Sequence, residues 1–164
     1  WENGEFQEHS SMMVAKWQDR EYRDRTLTTR ANLGYYSSKL HKSVKKAIVD
    51  SGIDGFESEK YVAGYMVDEI DSNRNVILEV FGDFWHCNPS LYNSDDTISL
   101  DGNVFSVSEI WERDKNRIKN LSGNGYSVYI IWESDFERNP GQVISDFSLW
   151  LSDIVTVKME AYKK

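Results

Sequence analysis

Two strand-like stretches joined by a short polar turn constrain the fold of this chain more than any other feature. They run from Glu59 to Asp71 and from Asn75 to Phe81, and the sequence Asp71-Ser-Asn-Arg-Asn75 that joins them is rich in turn-forming residues. The pattern predicts a β-hairpin. A further run of β-branched and aromatic residues, Tyr126–Trp132, follows a Gly-Asn-Gly sequence and predicts another strand.

Helical patterns surround these strands. Apolar residues recur at intervals of three and four in Ser37–Ser51 and in Val107–Leu121, and Val143–Val155 is predicted to form a closing helix. The polar segment Pro89–Gly102 predicts a surface loop. The resulting order of helix, strand, strand, helix, strand and helix predicts an α/β domain with a central mixed β-sheet flanked by helices.

A short repeat opens the chain. The pattern of Trp1–Glu8 returns sixteen residues later as Trp17–Asp24, which indicates small helical units. We therefore predict a helical repeat arm over residues 1–33 and a main domain over residues 34–164. A frayed, partly helical arm is the alternative. Because the chain begins on Trp1 without an initiator methionine, we expect it to be a fragment of a longer protein.

The charge is unevenly distributed. The net charge of −8 disfavours a polyanionic partner, yet the segment Lys16–Lys46 holds nine basic residues against three acidic ones. Lys16, Arg20 and Arg23 are candidate DNA-binding residues, and a solvated helix face is the alternative. The chain has no apolar run long enough to span a membrane, and its single cysteine cannot form an internal disulfide. We expect a cytoplasmic protein.

The candidate chemistry lies on the predicted hairpin. Because strand side chains alternate between faces, Asp68 on the first strand can face Glu79 on the second, and His86 follows just beyond. Oxygen ligands of this kind suit Mg²⁺ or Mn²⁺. Each residue also has a structural explanation, since Asp68 could belong to a turn and His86 could be a core histidine. A buried Glu79 needs a partner, for which a metal ion is the predicted candidate.

These residues resemble the active-site motifs of known nucleases. An aspartate on one strand and Glu-x-Lys on the next are typical of the restriction-nuclease-like PD-(D/E)XK superfamily, although Phe81 stands here at the lysine position. The sequence Gly82-Asp-Phe-Trp-His86 resembles the Gly-x-Phe-Trp-His of very-short-patch-repair endonucleases. Two further blocks, Glu112-Arg113-Asp114 and Ile131-Trp132-Glu133, extend the resemblance over about residues 38 to 136.

The resemblance implies a restriction-endonuclease-like fold and a Mg²⁺-dependent endodeoxyribonuclease that hydrolyses double-stranded DNA. The repeat units are similar to modules beside phage-type homing endonucleases, which share this active site. Two alternatives stay open. Phe81 in place of lysine is compatible with a catalytically inactive DNA-binding module or regulator, and the repair-enzyme motif with a nicking endonuclease of DNA repair. The oligomeric state is not predicted.

Site roles follow from the resemblance, position by position. Asp68 is expected to be the principal metal ligand, with the backbone carbonyl of Val80 as a second ligand. Glu79 matches the second carboxylate of the broader superfamily and is also assigned to the metal. His86 is expected to act as the general base. His41 falls where the repair enzymes have a glutamate, and it is expected to orient a water or contact phosphate.

DNA contacts are implied as well. Phe84 and Trp85 match aromatic residues that the repair enzymes insert between bases, although core packing is an equal alternative. Arg113 and Arg117 are expected to contact phosphate, or to form surface ion pairs. Asp83 occupies the position of a zinc ligand whose partners are missing, so no structural zinc is predicted. Its role is left open between a metal ligand and a supporting carboxylate.

Overall fold

The computed structural model describes residues 38–100 and 103–161. The predicted repeat arm, with Lys16, Arg20 and Arg23, lies outside the described residues. The helices and strands are, in order, α1 (Lys39–Asp50), β1 (Glu57–Val62), β2 (Tyr65–Asp71), β3 (Val76–Phe81), β4 (Thr97–Leu100), β5 (Asn103–Ser106), α2 (Val107–Gly123), β6 (Ser127–Trp132), α3 (Glu133–Arg138) and α4 (Pro140–Ala161).

Four strands form the central sheet in the order β1-β2-β3-β6. The pairs β1–β2 and β2–β3 are antiparallel, whereas β3 and β6 run parallel. Parallel strands need a long crossover, and α2 lies within the one that links β3 to β6. Strands β4 and β5 form a separate ribbon ahead of α2. The predicted α/β domain with a mixed sheet flanked by helices is confirmed.

Apolar side chains cover both faces of the sheet. On one face Leu78 packs in a cluster with residues of α1 and α4, among them Val44 and Phe147. On the other face Ile77 packs with Leu121 of α2. The alternation along β3 explains this division, because neighbouring residues point to opposite faces. Glu79 continues the face of Ile77, so its carboxylate lies on the α2 side.

Two stretches differ from the prediction. The single strand predicted over Glu59–Asp71 is two strands, joined at Ala63-Gly64, where φ is 49° and 93°. Two consecutive positive φ values are typical of a tight hairpin turn, and the prediction missed it because Ala63 is not a usual turn residue. The predicted loop Pro89–Gly102 contains β4, which pairs with β5. The short helix α3 was also not predicted.

Among the described helices, none combines the length and the apolar character that a bilayer-spanning segment needs.

Candidate active site

A cavity of about 570 Å³ opens between β2, β3 and α2. It brings together six of the residues predicted from the sequence, and it adds four others. The lining residues are Tyr65, Asp68, Glu79, Val80, Phe81, His86, Arg113, Asp114, Asn116 and Arg117.

Asp68 and Glu79 meet across the hairpin. The β2–β3 ladder pairs Glu69 with Leu78, and one residue further along the same register sets Asp68 opposite Glu79. At this position a side chain accepts a hydrogen bond from the neighbouring strand: Oδ2 of Asp68 accepts the backbone N–H of Val80 at 2.7 Å. Asp68 is thereby fixed against β3 at the edge of the cavity.

Glu79 is 2% exposed and is paired with Arg117. Its Oε1 accepts hydrogen bonds from Nη2 of Arg117 at 2.7 Å and from Nε at 3.2 Å. Burial raises the pKa of Glu79 to about 7; the charge of Arg117 opposes the rise and the charge of Asp68 adds to it. The partner expected for Glu79 was a metal ion, and the structure provides a guanidinium from α2.

Arg117 is held by the protein at several points. Besides Glu79, its Nη2 donates to the backbone carbonyl of Met66, and its guanidinium lies over the ring of Tyr65, 5.2 Å from the centroid. These contacts engage Nε and Nη2 and leave the Arg117 side chain 21% exposed at the cavity. Arg113 differs, because its side chain is 57% exposed and its Nε donates to Asp114 at 3.2 Å. Arg113 is the more exposed of the two arginines.

His86 forms a pair with Asp114. Its Nδ1 lies 2.7 Å from Oδ2 of Asp114, and its ring is stacked on Phe81 with centroids 3.7 Å apart and an interplanar angle of 4°. A carboxylate accepts hydrogen bonds only, so Nδ1 carries the proton and a neutral ring keeps Nε2 as an acceptor. Phe81 thus serves as a platform for the imidazole.

Asp114 was not predicted as a site residue. A signal was present in the sequence, because Asp114 stands four residues after Ile110 on the apolar face of α2 and is only 9% exposed. A carboxylate on a buried face needs a partner, and here that partner is a histidine 28 residues away.

The turn after β3 presents two aromatic side chains to solvent. Phe84 and Trp85 are 43% and 56% exposed and contact each other edge to face, with centroids 5.5 Å apart. The alternative of core packing is therefore wrong for this pair. Asp83 supports the turn, since its backbone N–H donates to Glu133 at 3.0 Å and its Oδ1 accepts from Asn88 at 2.7 Å. Asp83 does not line the cavity.

His41 is not brought into the cavity. It is 3% exposed, and its Nε2 lies 2.8 Å from Oε1 of Glu69, which also accepts the hydroxyl of Ser58 at 2.5 Å. Burial lowers the pKa of His41, but the hydrogen bond to Glu69 and the charge of Asp68 outweigh it, so that the pKa is raised. The burial of His41 and its hydrogen bond to Glu69 do not fit the expected contact with a water or a phosphate.

The number and kind of donor atoms around the cavity determine which metal ion it could hold. Within residues 38–100 and 103–161, no three His, Cys, Asp or Glu side chains are arranged to hold one. Mg²⁺ is often bound through one or two carboxylates, with the remaining positions filled by water and substrate phosphate. Asp68 and Val80, at the point where the β2–β3 ladder ends, offer hard oxygen donors of that kind. The residues fit a Mg²⁺ site that has few protein ligands.

The fold and the cavity together define a mixed α/β domain with two facing carboxylates and a histidine–aspartate pair. No protein-family model matches the chain, and no curated protein matches it in sequence. Among solved structures, the chain is similar to the catalytic domain of the homing endonuclease I-Bth0305I, with a TM-score of 0.49 and 16% identity. The similarity covers 73% of this chain and 99% of that domain.

Proposed function

We propose that this chain is a metal-dependent endonuclease of the homing type that hydrolyses phosphodiester bonds in double-stranded DNA. The observation that carries the proposal is the pairing of His86 with Asp114 in the same cavity as Asp68 and Glu79. Such a cavity combines a proton acceptor with carboxylates that attract a cation, as hydrolysis of a phosphodiester requires. The proposal agrees with the resemblance of the motif Gly82–His86.

His86 acts as the general base. Its Nε2 takes a proton from the attacking water, while Asp114 at Nδ1 holds the ring in the required tautomer and stabilises the imidazolium that forms. The water oxygen bonds to phosphorus and the bond to the 3′ oxygen breaks. The leaving oxygen takes a proton from solvent water to become a 3′-hydroxyl, the phosphate stays on the 5′ end, and His86 then releases its proton to solvent.

Asp68 and the backbone carbonyl of Val80 would hold the cation. A bound Mg²⁺ would stabilise the negative charge that develops on the phosphate. Glu79 has one oxygen committed to Arg117 and adds negative charge behind Asp68. Arg113 contacts a phosphate at the cavity mouth, and the exposed Phe84 and Trp85 stack on bases beside it, for about 1 to 3 kcal/mol per base.

The test is cleavage of plasmid and phage DNA with and without Mg²⁺. Asp68→Asn, which keeps the size of the side chain, is expected to abolish cleavage while leaving the melting temperature within a few degrees. Full activity in this variant would remove Asp68 from the mechanism. Lys60→Gln, a change at a surface residue outside the cavity, serves as the control and should cleave normally.

The same experiment separates the alternatives. A DNA-binding module would bind duplex DNA and leave it intact with every divalent metal. A repair nicking enzyme would cut one strand of a mismatched duplex and spare the matched duplex. The proposed endonuclease cuts matched DNA and leaves 5′-phosphate ends, which end labelling detects.

A further inference from the structure

Strand β6 forms one edge of the central sheet, and that edge is open. In the part of the chain that the structure describes, β6 pairs with β3 on one side and with no strand on the other. The N–H of Ser127 donates to the carbonyl of Asn75 at 2.9 Å, so Ser127 and every second residue after it turn their backbone groups toward β3. The backbone groups of Val128 and Ile130 therefore point away from the sheet, as does the N–H of Trp132.

The two edges of the sheet differ in how they resist pairing. At the other edge, β1 carries the charged residues Glu57, Glu59 and Lys60, and Glu59, with a φ of 56°, drops out of the ladder with β2. Charges and distortions of this kind protect an edge from pairing with another chain. Strand β6, with the sequence Ser-Val-Tyr-Ile-Ile-Trp, contains no charge, no proline and no residue with positive φ. Such an edge is a template for a further strand.

A groove of about 270 Å³ runs beside the open edge. It is lined by the consecutive residues Tyr129–Trp132 of β6 and by side chains of α3 and α4, among them Asp135, Arg138 and Asp146. Two acidic residues and one basic residue do not suit the polyanionic backbone of DNA. They suit a partner that carries both signs of charge. A second copy of the same groove is such a partner, because twofold symmetry allows Arg138 of each chain to meet an acidic side chain of the other.

We propose that two copies of this chain pair along β6 in antiparallel orientation and join their four-stranded sheets into one. Pairing about Ile130 uses all the outward backbone groups, because Ile130 then faces its own copy and Val128 faces Trp132 of the other chain. This inference rests on the proposed endonuclease function and deepens it. The cavity of one chain attacks one phosphate at a time, and the dimer supplies a second cavity for the second DNA strand.

The symmetry of this pairing places both cavities on one side of the joined sheet. Two edges that pair antiparallel are related by a twofold axis perpendicular to the sheet, so the α2 faces of both copies point the same way. Each cavity lies on that face and is bordered by β3. The two β3 strands are separated by three strand spacings, about 14 Å, which is on the scale of the major groove, about 12 Å wide. One duplex can therefore reach both cavities.

Analytical ultracentrifugation of the unaltered protein is expected to show a concentration-dependent equilibrium between one chain and two. Ile130→Pro removes an N–H that points out of the sheet, a change that an edge strand tolerates. Because the symmetry removes this donor twice, dimerisation should weaken by at least about tenfold. The matched control Ile130→Val keeps the N–H and should dimerise like the unaltered protein. On supercoiled plasmid, the unaltered protein should give linear DNA, whereas Ile130→Pro should give nicked circles.

Hydrogen exchange tests the same edge without a substitution. In the unaltered protein, the amides of Val128 and Ile130 should become protected as the protein concentration rises, whereas the amides of β1 should not change. This measurement decides the matter if a thermal melt shows that Ile130→Pro does not fold.

A dimer whose formation protects the amides of Val128 and Ile130 supports the proposal. A single chain at all concentrations, or a dimer without this protection, overturns it and leaves the endonuclease function intact. Protection that does not depend on concentration shows that another segment of the same chain covers the edge, and it also overturns the proposal. Failure of the unaltered protein to cleave DNA overturns the endonuclease function, and ultracentrifugation and hydrogen exchange still decide the pairing of β6.

Discussion

The imidazole of His86 is fixed by two different contacts. The carboxylate of Asp114 determines which nitrogen carries the proton, and the parallel ring of Phe81 determines the plane of the imidazole. A base needs both, because its lone pair must point at the water and its partner must stabilise the charge it acquires. Phe81 and Asp114 together therefore fix the orientation of the His86 ring.

Asp114→Asn is expected to reduce the single-turnover cleavage rate by a factor of about 100 or more, the usual contribution of a positioned base. The amide cannot stabilise an imidazolium, and it can turn its NH₂ toward Nδ1 and reverse the tautomer. DNA affinity should not fall, since the substitution removes a negative charge. The control is Glu112→Gln, an exposed neighbour, and a similar loss in that variant would contradict the assignment.

Glu79 gives the fold a pH dependence. Its pKa is about 7 in the folded protein against 4.5 in an unfolded chain, so the folded state holds its proton more tightly. The stabilisation from that proton is complete below pH 4.5 and is lost as pH rises through about 7. At about 1.4 kcal/mol per pH unit, the difference corresponds to about 3 kcal/mol.

Urea denaturation in EDTA checks this expectation. Between pH 5 and pH 8 the free energy of unfolding should fall in the unaltered protein relative to Glu79→Gln, which has no proton to lose. Parallel pH profiles for the two proteins would show that Glu79 titrates normally in the fold.

The sequence predicted the hairpin part of the site, and on the helix it predicted Arg113 and Arg117 as phosphate contacts but missed Asp114 and the pairing of Arg117 with Glu79. Asp68, Glu79 and His86 lie within 19 residues of one another, where strand alternation and a short motif determine their relative placement. Asp114 and Arg117 reach the site only through the packing of α2, which brings together residues 28 and 38 positions apart. Periodicity locates such a helix but does not give its rotation against the sheet.

At the scale of elements, α2 is joined to the sheet by a charge pair as well as by apolar contacts. Arg117 connects it to β3 through Glu79 and to β2 through the Met66 carbonyl, beside the packing of Leu121 on Ile77. Removing one member of a buried pair leaves the other charge without compensation, which costs more than the pair itself contributes.

Arg117→Met is therefore expected to lower the free energy of unfolding by about 3 kcal/mol at pH 8. The double variant Arg117→Met with Glu79→Gln should recover part of that loss, because no buried charge is left unpaired. Arg113→Met, at an exposed neighbour on the same helix, should stay within about 0.5 kcal/mol. If the double variant were no more stable than Arg117→Met alone, the pair would not be the cause.

The sequence predicted those helices and strands whose hydrophobic pattern extends over the whole element. The periodicity of α1 and α2 and the apolar runs of β3 and β6 were recognised, because each pattern spans the whole element. The turn at Ala63-Gly64 and the four-residue strand β4 were not, since a positive φ at alanine and a short strand leave little trace in composition.

At the scale of the whole molecule, the net charge of −8 is unfavourable for the proposed DNA substrate. Salt screens distant charges, so the total charge of the protein has little effect on a bound phosphate. At physiological salt the Debye length is about 8 Å, so a bound phosphate responds to nearby charges and hardly to the total. Around the cavity these are the carboxylates Asp68, Glu79 and Asp114 against the guanidiniums Arg113 and Arg117. The balance is slightly negative, so a divalent cation should make entry of a phosphate favourable.

Duplex DNA should accordingly bind about tenfold more tightly in Ca²⁺ than in EDTA at equal ionic strength, a difference of about 1.4 kcal/mol. Asp68→Asn should bind better than the unaltered protein in EDTA, since one repelling charge is gone, and it should lose most of the Ca²⁺ effect. Anisotropy titrations with a labelled duplex measure both. Equal affinities with and without Ca²⁺, or a full Ca²⁺ effect in Asp68→Asn, would show that the cation does not join phosphate and protein at Asp68.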